Sequence, residues 1–380
     1  MSTRIRIALV VNLLSLIFST TIVDSNQSTV PLRSFKISEN VTYDCIDIYK
    51  QPGFNHPLLK THKIQMKSSI SRPELKMQTG KNETSNKTKL ECPNGTVPIL
   101  RNTKGFATNS QIFAEKNFHS LSADSPGMHI AGVRSNGLFR GIQAWFSANA
   151  LNVGKDQVSY SQIYIGSGSE NQVNYISAGW MINPSLYGDQ RVWTFGFWKG
   201  KDGKGCYNTA CSGFVQVSKV IPIVEPSVLK PGVPGWLRYS IHQVITYNQD
   251  KNTGNWWITQ LKENAPNEDI GYWPKELFNL LDNGANMVGA GGVVHASLSG
   301  SSPPMGNGLL PNGDPQDSGV FTNIEVLNSN YEQHKMDSFP LESLVDSVKC
   351  YGLRIGSQLR FRHLGFFFNY GGLGGNECGA

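Results

Sequence analysis

From Met128 to the C-terminus, short alternating or aromatic runs recur between breaks of Gly, Pro and Asn. They are Ser159–Ile165, Val192–Trp198, Tyr239–Ile245, Asn255–Ile258, Phe321–Val326 and Leu364–Phe368. Alternation with a period of two sends successive side chains to opposite faces, so each run predicts a strand. Many short strands at this spacing predict an all-β fold, an antiparallel two-sheet β-sandwich. One helix is predicted at Trp273–Leu281, where Pro274 suits a first helical position and Leu277, Leu280 and Leu281 share a face.

Ahead of this region the pattern differs. Residues 1–25 read as a signal peptide: Arg4 and Arg6, then an apolar but interrupted run to Val23, then small residues before Asn26. That run is short and impure for a membrane span. The expected product is a secreted, extracellular protein with no membrane attachment once the signal is removed. Residues 26–100 read as a small unit. Asp44–Lys50 is strand-like, Gln51-Pro52-Gly53 breaks it, and Cys92–Thr96 forms a turn before Val97–Leu100. Residues 101–127 carry no sustained periodicity and read as a linker open to proteases, and residues 128–380 form the main domain.

Charge and sequons mark the same division. Through Met128 there are 16 Lys+Arg against 9 Asp+Glu, a balance of +7, and the remainder carries −1, which together give the net +6. The lysines are scattered among Asn, Ser and Thr, not set in an aromatic-studded stripe, which argues against a nucleic-acid surface. All five N-x-S/T sequons, at Asn26, Asn40, Asn82, Asn86 and Asn94, precede residue 100, so any glycans coat the N-terminal unit. Behind a signal peptide, the six cysteines predict three disulfides. Proximity and the domain division favour Cys45–Cys92, Cys206–Cys211 and Cys350–Cys378. The cysteines lack the paired spacing of a zinc site. No phosphate loop, dinucleotide fingerprint, H-E-x-x-H, G-x-S-x-G or EF-hand loop occurs, so neither metal nor cofactor is expected.

Several motifs together resemble the plant neprosin family. Asp44–Pro52, Asn55-His56-Pro57-Leu58-Leu59 and Cys92–Pro98 are similar to its activation segment. Ser161-Gln162-Ile163, Ala178-Gly179-Trp180, Leu186-Tyr187-Gly188-Asp189, Gly205–Asn208, Cys211–Gln216, Gly254–Trp257, Gly271–Pro274 and Tyr370–Gly372 are similar to its peptidase domain. The resemblance implies a β-sandwich with a long cleft, made as a proenzyme whose N-terminal segment packs on its own peptidase domain and is removed. It also implies a glutamic endopeptidase cutting after proline. Such chemistry needs two carboxyl groups across a water, one ionised as base and one protonated as acid.

This chain departs from that pattern at the carboxyl groups. The first glutamate position corresponds to Ser177, and the second to Val293, with Gly289 the alternative alignment. No glutamate occurs from Asn171 through Val224 or from Leu277 through Ile324, so the loss does not hinge on fine alignment. Trp180, Tyr187, Trp256 and Trp257 are candidate walls of a substrate groove, since such rings bury large areas while keeping a polar handle. Two functions remain open. One is a catalytically impaired relative that binds a peptide or protein ligand, proline-rich by family habit. The other is an active glutamic-type endopeptidase cleaving after proline.

Overall fold

The computed structural model describes residues 30–68, 90–101, 110, 113, 127–169, 172–244, 253–263, 265–357 and 359–378. Residues 31–380 form one compact unit. Its strands, in chain order, are β1 (Arg33–Ser38), β2 (Val41–Asp47), β3 (Thr96–Leu100), β4 (Met128–Ala148), β5 (Val158–Ser169), β6 (Gln172–Ile182), β7 (Val192–Lys199), β8 (Gly205–Tyr207), β9 (Val215–Gln216), β10 (Pro226–Ser227), β11 (Gly235–Val244), β12 (Asn255–Gln260), β13 (Glu268–Trp273), β14 (Ala285–His295), β15 (Gly319–Asn328), β16 (Gln333–Lys335), β17 (Glu342–Val345), β18 (Gly352–Ile355) and β19 (Phe368–Gly371). Strands β1–β3 form a small antiparallel sheet of their own, and the rest form one antiparallel system in the order β10-β7-β6-β5-β14-β4-β11-β12-β13-β9 with side branches.

The 21-residue strand β4 joins two layers. Its first half pairs with β14 and β17, and its second half with β11 and β15. Period two then assigns the faces. Ile163, Ile165, Ile176, Ala178, Trp180, Val288 and Ala290 point inward and meet Ile241, Trp256, Ile258, Trp273 and Phe321 of the other layer in one large core. The opposite face of the β7–β6–β5–β14–β4 layer carries a second cluster of Ile130, Tyr160, Tyr164, Tyr175, Met181, Phe195, Phe197, Tyr207 and Val293. Close approach of β4 and β14 requires glycine: a Cβ on Gly132 would lie 2.5 Å from the Ala290 carbonyl oxygen and 2.8 Å from the Gly291 Cα.

All three disulfides pair as the sequence proposed: Cys45–Cys92, Cys206–Cys211 and Cys350–Cys378. The first joins β2 to the stretch just ahead of β3, so no disulfide ties the N-terminal segment to the main domain. Two strand and helix expectations are corrected. Trp273 ends β13, where it pairs with Trp256, and only Lys275–Leu277 forms a single 3-10 turn. The predicted helix to Leu281 stops there because the side-chain oxygen Oδ1 of Asn174 accepts from the backbone N–H groups of Asn279 and Leu280, both at 2.8 Å. Those donors are thereby withdrawn from any helical ladder. Of the run Leu364–Phe368, Arg362–Leu364 is a helical turn and the strand β19 begins only at Phe368.

The N-terminal segment packs firmly on the main domain. The buried Gln51 side chain completes the open edge at β9: its amide nitrogen donates to the Gln216 carbonyl at 3.0 Å and its oxygen accepts from the Gln216 N–H at 2.7 Å. The Tyr43 hydroxyl donates to the Val224 carbonyl at 2.6 Å. Further along, His62 sits between Glu276, at 3.2 Å, and the Tyr272 hydroxyl, at 2.9 Å, and Asp269 accepts from the Ser68 amide and hydroxyl at 2.8 and 2.9 Å. Asn40 and Asn94 are exposed as sequons require. Asn26, Asn82, Asn86 and the signal segment lie outside the described residues. Among the described residues no helix is long and apolar enough to cross a membrane.

The His62–Glu276 contact has a pH consequence. Burial raises the Glu276 pKa, but the hydrogen bond and charge of His62 more than offset this, so the carboxyl lies below its ordinary range. A carboxyl lowered in the folded state contributes stability above the unfolded value, about 4.3, and loses it as pH falls through the folded value. The 60–68 stretch is therefore expected to loosen below roughly pH 4. Hydrogen exchange at pH 3.5 against pH 6 checks this, and Glu276→Gln should flatten the difference.

Candidate functional site

The second cluster marks the concave face, and all three positions aligned with the missing glutamates lie on it. Cross-strand pairing sets one row: Phe197 on β7, Ser177 on β6, Tyr164 on β5, Gly289 on β14, Arg134 on β4 and Glu342 on β17. Ser177 and Gly289 are thus two strand spacings apart, about 9.6 Å, a span across which two glutamate side chains can converge on one water. Val293 shares the face but lies four residues further along β14, about 13 Å on, in the row of Met181, Tyr160 and Ile130. The register therefore sets Gly289 across from Ser177 more directly than Val293.

The space between these positions is filled by Tyr164. A Cβ on Gly289 would lie 2.2 Å from the Tyr164 hydroxyl and 2.3 Å from its Cζ, so the phenol occupies the volume a side chain at 289 needs. Tyr164 is 1% exposed and its hydroxyl is buried without a hydrogen-bond partner. Burial, and the nearby Glu342, push its pKa well above the ordinary tyrosine range, with Arg134 opposing. The neighbouring Tyr175 stacks on it at 5.5 Å, and the Tyr175 hydroxyl accepts from Gln162 at 3.1 Å. Strands β5, β6, β7 and β14 carry no Asp or Glu at all. The carboxylate at the end of the row, Glu342, is held by Arg134 at 2.7 and 3.0 Å on the rim. Asp189 is engaged by Arg191 and the Trp193 indole.

Three of the four proposed groove walls are not on this face. Trp180 and Trp256 are wholly buried in the inter-layer core, their indole N–H groups donating to the carbonyls of Ser147 at 2.9 Å and Leu281 at 3.3 Å. Trp257 is wholly buried in a separate cluster with Val215, Val244 and Tyr272, beneath Phe54 of the N-terminal segment. Period two decides these placements: Trp180 is three residues from Ser177, so the two side chains point to opposite faces. Tyr187 fits better. It stands at the margin of the concave cluster, stacked on Trp193 at 4.4 Å, its hydroxyl accepting from Asn208 at 3.2 Å.

Two residues that the sequence assigned to an exposed linker instead pack inward. Ser110 and Phe113 are helical, Ser110 is fully buried, and the Phe113 ring lies 5.2 Å from Tyr207 and 6.2 Å from His295 on the concave face. The linker reading rested on a polar composition and missed a single aromatic ring that finds an aromatic surface. An open depression of about 460 Å³ lies elsewhere, on the N-terminal segment, lined by Tyr49, Phe54, Leu59, Lys60, His62, Lys63 and Ile64. Among the described residues no cluster of His, Cys, Asp or Glu could hold a metal ion.

The family profile for Neprosin matches residues 155–373, more than half the chain, and that for the Neprosin activation peptide matches residues 34–125. The chain belongs to the neprosin family. The activation-peptide match extends across Ser110 and Phe113, so the segment seated on the concave face belongs to this pro-segment. Among solved structures, the neprosin chain is similar to scytalido-glutamic peptidase bound to a transition-state analogue inhibitor, at 12% identity and a TM-score of 0.34, covering 66% of this chain and 100% of that one. It is also similar to SCP-B, an eqolisin-family peptidase in complex with the tripeptide Ala-Ile-His, at 10% identity and a TM-score of 0.29, covering 66% and 98%.

Proposed function

We propose that this protein is a secreted, catalytically impaired neprosin whose concave face binds an extended peptide without cleaving it. The observation that carries the reading is the row Ser177–Tyr164–Gly289. Where glutamic-peptidase chemistry requires two carboxyl groups sharing a water, this row offers a hydroxyl, a neutral phenol and a bare backbone. A serine and a phenol can neither take a proton from water near neutrality nor supply an acid of suitable pKa. Val293, the other alignment of the second glutamate, is equally inert. The aromatic floor of Tyr160, Tyr175, Phe195 and Phe197 suits stacking against apolar and proline side chains.

An active reading rests on Glu342, the carboxylate in the same row. Its pairing with Arg134 commits it to a rim ion pair, and among the described residues the strands β5, β6, β7 and β14 offer it no acidic partner. In the impaired reading the chain does not release its own pro-segment, so any cut between residues 101 and 128 requires another protease.

The test is binding with recovery. The full chain is folded, cut within residues 114–126 at an inserted protease site, and mixed with a fluorescein-labelled alanine–proline octapeptide. The reading expects saturable binding with the peptide recovered intact by mass spectrometry. Absence of binding refutes the peptide-binding role.

A further inference from the structure

Glu342 and Arg134 bind each other, and the neighbouring Tyr175 and Tyr187 hydroxyls accept from Gln162 and Asn208. The Tyr164 hydroxyl, at the centre of the row, is buried and has no partner. Unpaired buried hydroxyls are rare, because each loses its water without compensation. Phenylalanine would fill the space over Gly289 equally well, so packing alone does not explain the oxygen.

The Phe113 ring of the pro-segment packs on this face against Tyr207 and His295. An extended chain holds its carbonyls free at regular intervals, where they accept from whatever lies alongside. We propose that the Tyr164 hydroxyl is a recognition donor, giving its hydrogen bond to a backbone carbonyl of an extended peptide that replaces the pro-segment on the concave face. The inference rests on the peptide-binding reading above and names the residue that reads the ligand's backbone. Burial keeps the phenol protonated, so the donor persists from acid to alkaline pH. Recognition through a backbone carbonyl is indifferent to side-chain identity, and the aromatic floor around it is left to set the sequence preference.

The experiment compares wild type, Tyr164→Phe and Tyr164→Ala, each folded as the full chain and then cut within residues 114–126, with the same fluorescein-labelled alanine–proline octapeptide as probe. Tyr164→Phe is expected to bind about tenfold more weakly, the effect of one lost hydrogen bond, while its thermal midpoint stays level or rises. Equal affinity of wild type and Tyr164→Phe overturns the proposal. So does a lowered midpoint in Tyr164→Phe, which would reveal a structural partner for the hydroxyl. Weakening in Tyr164→Ala alone assigns the residue to ring packing and also overturns it. If wild type itself fails to bind the probe, the peptide-binding reading falls and this inference falls with it, a result distinct from wild-type binding that the phenol does not influence.

Discussion

Trp180→Ala is expected to cost about 3–5 kcal/mol of stability and to lower the thermal midpoint by roughly 10 °C. The indole is wholly buried between the layers, packed in the large core, and its N–H donates to the Ser147 carbonyl. Truncation leaves a cavity and removes that hydrogen bond in the region where β4 crosses from one layer to the other. Differential scanning calorimetry measures the shift. A residue lining an open groove would instead change ligand affinity and leave the midpoint nearly untouched, so the same variant also decides between wall and core.

Gly289→Glu alone is expected to destabilise the fold by about 1–3 kcal/mol through overpacking, since its Cβ must enter the volume of the Tyr164 phenol. Combined with Tyr164→Ala the cost should shrink, giving a coupling energy of about 1 kcal/mol or more in a double-mutant cycle. Val293→Glu carries no such coupling, because it lies in the row of Tyr160. The triple change Ser177→Glu, Gly289→Glu and Tyr164→Ala restores two carboxyls facing across one vacant strand position. It is expected to raise acid-pH cleavage of proline peptides by roughly 10²-fold over background, the lower end of what general acid–base groups contribute. If Ser177→Glu with Val293→Glu recovers more activity than the triple variant, the second glutamate belongs at 293 and the register argument is mistaken.

Much of this was legible in the chain. The runs Ser159–Ile165 and Val192–Trp198 fall inside β5 and β7, because two-residue alternation is a local property. The disulfides followed from sequence proximity. Strand β4 was not foreseen: Gly132, Gly137 and Gly141 interrupt its apolar pattern, and only its partners hold it extended. The site was half legible. Alternation within β5 and β6 places Tyr164 and Ser177 each on a definite face, but which residues share a row depends on strand pairing, and no local signal encodes register. The same alternation, applied to Ser177 and Trp180, would have sent the tryptophan to the core. Phe113 was invisible because its meaning lies in a distant surface of Tyr207 and His295.

The most direct measurement of the central claim is peptidase activity of the purified protein. The chain, cut within residues 114–126 and freed of host proteases, is incubated with proline-containing peptides from about pH 2 to pH 8, spanning the ordinary carboxyl and histidine ranges, beside an active glutamic peptidase as control. No cleavage is expected above that of a Ser177→Ala preparation made identically. Proline-directed cleavage that tracks the protein through purification and disappears in Glu342→Gln would contradict the impaired reading, placing a working carboxyl at the end of the row.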